Sequence, residues 1–71
     1  MLRKTTAAIP ARPANQPGVT LPIPEGEEID VVEADEKAPA SQKRAYWKKY
    51  EHGMLGLYVS EEDIDRRTIP A

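Results

Sequence analysis

Five prolines fall within the fifteen residues from Pro10 to Pro24, PARPANQPGVTLPIP. Each fixes φ and removes a backbone donor, so no helix can run through this stretch and an extended path is expected. The chain around it has 71 residues and no cysteine. That allows at most one small domain, with no disulfide framework to compensate for a thin core. Leu, Ile, Val and Phe together number 13 of 71, below the roughly 20% at which chains usually build a core of their own. The expectation is therefore a mostly irregular, extended chain with no independent large core, carrying a small C-terminal α-helical unit.

Within the proline-rich stretch, Val19, Leu21 and Ile23 alternate with Thr20, Pro22 and Pro24, the period-2 pattern of a strand. Backbone donors alternate in the same rhythm. Pro22 and Pro24 silence one edge and leave the amides of Val19, Leu21 and Ile23 free on the other, the form of a one-sided strand that could add to a partner sheet. A polyproline linker is the competing reading. Pro10-Ala11-Arg12-Pro13 also matches PxxP, a pattern that any proline-rich linker yields.

Charge is arranged in blocks: plus 3 over residues 1–24, minus 7 over 25–36, plus 4 over 37–52 and minus 2 over 53–71. The acid-free start, with Arg3 and Lys4, superficially resembles a mitochondrial targeting segment. Prolines at 10, 13 and 17 leave room for barely two helical turns there, so a basic tail is preferred. No apolar h-region follows these charges, and secretion is not expected. The longest apolar run, Met54 to Val59, contains a glycine and falls far short of the ~18 residues of a membrane span. A cytoplasmic location, or incorporation in a large assembly, is expected.

The acidic run Glu25 to Glu36, EGEEIDVVEADE, lacks the ligand order of an EF-hand loop, so no metal is assigned to it. Acid–base catalysis would need a pocket that drives carboxylate pKa values apart, and nothing in this run builds one. It reads as a solvated linker, or as an acidic strip that docks on a basic groove.

After Pro39, Ser41 stands as an N-cap and Gly53 as a C′ residue around a helix expected at about 42–52. At 100° per residue Tyr46, Trp47, Tyr50 and Met54 share one face, which in a small protein is more often core or interface than a nucleic-acid platform. A connector, 53–59, leads to a second helix expected at about 61–68. Ser60 and Asp63 form a capping box, Val59 and Ile64 a hydrophobic staple, and Glu62–Arg66 and Asp63–Arg67 are i,i+4 pairs. The division is thus an extended proline-rich and acidic arm, 1–40, and a helical clamp, 41–71. Helices this short need tertiary packing, so folding upon binding is expected.

No catalytic set, cofactor or metal site is indicated, and the chain is read as non-enzymatic. The functional expectation is a structural interaction protein that lies along larger protein subunits and staples them, as a minor component of a large assembly such as a virus particle. Val19, Leu21, Ile23, Tyr46, Trp47, Tyr50 and Met54 are its expected partner-binding residues. Membrane and nucleic acid are not expected as partners. The alternative is a small regulator or inhibitor that occupies a basic site on its target through the acidic strip and aromatic helix.

Overall fold

The computed structural model describes residues 1–48 and 53–71. Its elements are β1 (Leu2–Thr5), β2 (Arg12–Pro13), β3 (Glu28–Val31), β4 (Gln42–Trp47), β5 (Leu55–Ser60), α1 (Glu61–Arg67) and β6 (Thr68–Pro70). The strands form one six-stranded sheet in the order β2-β5-β4-β3-β1-β6, and every neighbouring pair is antiparallel. This overturns the expected fold class. The chain is a β-sheet protein with one short helix, and residues 1–40 supply three of its strands instead of a free arm.

The largest correction concerns the helix expected at 42–52. Residues 42–47 are strand β4, paired along its whole length with β5 from Gln42↔Ser60 to Trp47↔Leu55. Residues 49–52, Tyr50 among them, lie outside the described residues. The physical reason is the period. Turned by 180° per residue, Ala45 and Trp47 point inward and are buried, while Gln42, Arg44 and Tyr46 point outward and are half-buried. Helix propensity differs among ordinary residues by at most ~0.7 kcal/mol each, too little to outweigh two strand ladders and a buried face. Ser41, expected as a helix cap, instead has a φ of 63°. It is a left-handed residue that aims the chain into β4.

The second expected helix is α1, which ends at Arg67, but the capping box is not formed, since Ser60 makes no side-chain cap hydrogen bond. Ile64 is buried, Val59 belongs to the same core cluster, and the Arg66–Glu62 and Arg67–Asp63 pairs close at 3.1 and 3.4 Å. Thr68 returns to extended backbone and pairs with Thr5.

One face of the sheet carries the core, made of Ile29, Val31, Ala45, Trp47, Leu57 and Val59. Ile64 of α1 covers it from one side, and Ile9, Ala11 and Ile23 cover it from the proline-rich segment. That segment is a ribbon paired with itself. The amide of Leu21 donates to the Ala11 carbonyl at 2.7 Å, and the amides of Ile9 and Ile23 donate to each other's carbonyls at 3.0 and 2.8 Å. Thr5, fully buried, ties the ribbon's end to β1. Its hydroxyl donates to the Pro24 carbonyl at 2.7 Å and accepts from the Glu27 amide at 2.9 Å.

Both sheet edges are blunted by proline. The Ala14 amide bonds β5 at Gly56, so the alternation of the ladder turns position 13 outward, where Pro13 has no donor. In β6 the bonds Thr6 to Arg67 and Ala71 to Leu2 likewise turn Pro70 outward. A missing outward amide is how edge strands avoid pairing with other chains.

Candidate partner-binding face

Directly opposed residues of an antiparallel pair project from the same face. Following the register from the core to its reverse, the second face of the sheet presents Arg12, Tyr58 and Arg44 in one row, Gly56, Tyr46, Asp30 and Leu2 in the next, and Glu28, Lys4 and Ile69 in a third. The ribbon and α1 lie over the core and reach this outer face at its Tyr58 end, where Thr20 and Asp63 border the same depression as Arg12, Gln42, Tyr58 and Ser60; Asp35 reaches it at Arg44. Leu2 and Ile69 are each 51% exposed, and Met54, on the outward phase of β5, is 54% exposed.

The centre of the face is built by β4 and β5. Gly56 has no side chain, and a Cβ there would meet the Tyr46 ring at 3.4 Å, so the ring lies down over the glycine and is held flat. Above it, Arg44 donates to the Tyr58 hydroxyl at 2.9 Å and, at the limit of a hydrogen bond, to the Tyr46 hydroxyl at 3.5 Å. Its guanidinium carbon is 5.3 Å from the Tyr58 ring centre. Asp35 Oδ2 lies 2.6 Å from Arg44 Nε, off the N–H direction, so this contact is an ion pair without a hydrogen bond. Tyr46 and Tyr58, as acceptors, and Asp35, as a nearby anion, hold the Arg44 pKa above its already high ordinary value. The cluster therefore fixes a permanent cation and two rings.

Asp35 also explains part of the acidic run. Glu28 to Val31 form β3, and the residues after it fold back so that Asp35 reaches Arg44. A shallow depression of about 290 Å³ beside it is bordered by Glu33, Asp35, Glu36, Glu61 and Lys43. Among the described residues no group of three or more His, Cys, Asp or Glu could hold a metal ion.

The residues expected to bind a partner are dispersed. Tyr46 and Met54 reach the outer face, whereas Trp47, the neighbour of Tyr46, is in the core. Ile23 is fully buried and Leu21 packs against the same cluster. The amides of Leu21 and Ile23 are bonded within the chain, and that of Val19 donates to Gln16 at 3.0 Å, leaving the Val19 side chain 49% exposed in a loop. Sequence reasoning missed Leu2, Arg44, Tyr58 and Ile69. The alternation of Leu55, Leu57 and Val59 with Gly56, Tyr58 and Ser60 was the available signal, since it marks a strand and assigns Tyr58 to the face opposite the core. Among the described residues no helix is long and apolar enough to cross a membrane. No protein-family model, curated protein or solved structure matches this chain.

Proposed function

We propose that this protein is a non-catalytic interaction module that docks on another protein through the outer face of its sheet. The carrying observation is the placement of Leu2, Met54 and Ile69, all about half exposed, on the face opposite the core and away from the depression that Thr20 and Asp63 border. Tyr46 lies among them, held flat over Gly56. Aromatic and Arg side chains held in place lose little entropy on binding and are the usual anchors of protein interfaces. An antiparallel sheet can also face water on one side, but the gathering of three large apolar side chains and an ordered Tyr–Arg cluster on one face fits a contact surface. The closed edges support a face contact over strand addition, because neither β2 nor β6 offers a regular row of outward amides.

A photo-crosslinking residue in place of Tyr46 tests this reading in cells that make the protein. A discrete protein adduct is expected from that position, and none from Asp65, which is exposed on α1. Adducts from Asp65 alone, or equal capture at both positions, would move the interface off the sheet face and refute the proposal.

A further inference from the structure

Resting on the reading just given, we infer that the protein seated on the outer face is a second copy of this chain, related by a two-fold axis that runs parallel to the strands between β3 and β4. Prolines at positions 13 and 70 close the edges, so two copies cannot extend one another's sheets and must meet face to face. A two-fold contact brings the same surface against itself, so each residue must suit whatever the axis places over it. With the axis along the strands, β4 of one copy lies over β3 of the other and β5 lies over β1, while the level along the strands is kept.

The sheet register then fixes the facing pairs. Tyr46 and Asp30 share a row, so each Tyr46 hydroxyl, which accepts from Arg44, can donate to the Asp30 carboxylate of the other copy. That carboxylate is half exposed, with Oδ1 bonded to the Met1 amine. In the same row Leu2 pairs with Asp30 and Tyr46 with Gly56, so Leu2 meets the flat ring over Gly56 on the other copy. One residue beyond the Ile29–Trp47 pair stand Glu28 and Lys48, both exposed and of opposite sign, and the axis sets each over the other. The perpendicular axis would instead place Asp30 over itself or over Glu28, carboxylate against carboxylate. Charge therefore selects one arrangement, with strands aligned as in ordinary sheet-on-sheet packing.

Size agrees. The molecule measures 27 × 25 × 19 Å, so its broad face projects to roughly 700 Å², close to the ~800 Å² per partner of a standard stable interface.

The test is sedimentation equilibrium of the full chain and two charge-reversed variants, Glu28→Lys and Lys48→Glu. The wild type is expected to sediment at twice its 7.9 kDa mass. Each variant alone should raise the dimer dissociation constant by about tenfold or more, since the axis makes every repulsion occur twice. Mixed in equal amounts, the two variants should recover the dimer, because the reversed charge at position 28 of one species then faces the reversed charge at position 48 of the other, and the two are again opposite in sign. Both changes lie at exposed positions, and circular dichroism checks that the variants fold. A wild-type chain that stays monomeric up to ~1 mM, or variants that fail to complement, would overturn the second-copy inference. A monomer that still gives a Tyr46-position adduct with a different protein would sink this inference and leave the face reading standing. A dimer accompanied by adducts only from Asp65 would sink both.

Discussion

The two faces of this sheet are cut from the same strands and treat their residues in opposite ways. Trp47 and Tyr46 are adjacent, yet Trp47 is 6% exposed among Leu, Ile and Val, while Tyr46 lies half-buried beside Arg44 and Asp30. The inner face is finished by the chain itself, with the ribbon and α1 laid over it. The outer face is organised but unfinished. Its cation and rings are fixed by one another, and among the described residues its large apolar side chains are only half covered. In so short a chain, one layer of covering segments completes one core, and the reverse of the sheet keeps Leu2, Met54 and Ile69 about half exposed.

The sharpest way to break this contrast is to truncate the two aromatic neighbours in turn. Trp47→Ala should cost about 3–5 kcal/mol of unfolding free energy, the range for removing a buried aromatic. Tyr46→Ala should cost clearly less, and its main effect should fall on association. Chemical denaturation of both variants at low protein concentration checks this. Equal losses would mean that the outer face is a second core.

Next in size is the joint between ribbon and sheet. Thr5→Val keeps the shape of the side chain and removes a buried hydroxyl that serves the Pro24 carbonyl and the Glu27 amide. Two hydrogen bonds to part-buried backbone groups are lost, for an expected total of about 1–2 kcal/mol. A neutral result in the same denaturation experiment would show that water reaches this joint and that the inner face is less closed than described.

A smaller effect tests the ribbon's own pairing. Replacing the Leu21 amide by an ester in a synthetic chain removes the donor to the Ala11 carbonyl, and should cost about 1 kcal/mol. The same replacement at Thr20, whose residue is exposed, is the control and should cost less. Equal costs would argue that the Leu21 bond contributes nothing and that the prolines alone hold the ribbon extended.

What could be read from sequence divides by range. The signals that produced α1 are local: a run of acids, an Ile four residues after Ser60 and two arginines at the end act within a few turns, whatever the rest of the chain does. The strand β4 has no such signal. Gln42 to Ala45 are good helix formers, and their strand conformation is imposed against that preference by pairing with β3 and β5. Ile29 and Val31 were hidden in an acidic run, although their alternation with Glu28 and Asp30 is that of a strand with one wet face. The core was underestimated for a related reason. Ala11, Ala45 and Pro13 are buried but do not count among large apolar residues, and small side chains allow the ribbon to lie close on the sheet. At the candidate site, Tyr46 and Met54 were legible as sticky residues, while Leu2 and Ile69 join them only through the β1–β6 pairing that brings the two ends of the chain together.

The smallest expected effect concerns Ser60, where sequence and structure differ in a way that can be measured. A Ser three residues before an acid, at the start of a helix, ordinarily accepts a bond from the helix backbone, and its replacement by Ala costs about 1 kcal/mol. Here Ser60 has the extended backbone of an N-cap, with φ −60° and ψ 135°, but its side chain makes no capping hydrogen bond. The reason lies in its double position. Ser60 is the last residue of β5 and pairs with Gln42, so its side chain leaves on the outer face of the sheet, and the next amide, that of Glu61, is already bonded to the Ser41 carbonyl at 3.0 Å. The strand thus does part of the work of the cap. Ser60→Ala should therefore lower stability by only a few tenths of a kcal/mol, within the range of ordinary surface changes. A loss near the full capping value would mean that in solution the hydroxyl turns from the sheet face to the helix, and that β5 ends one residue earlier.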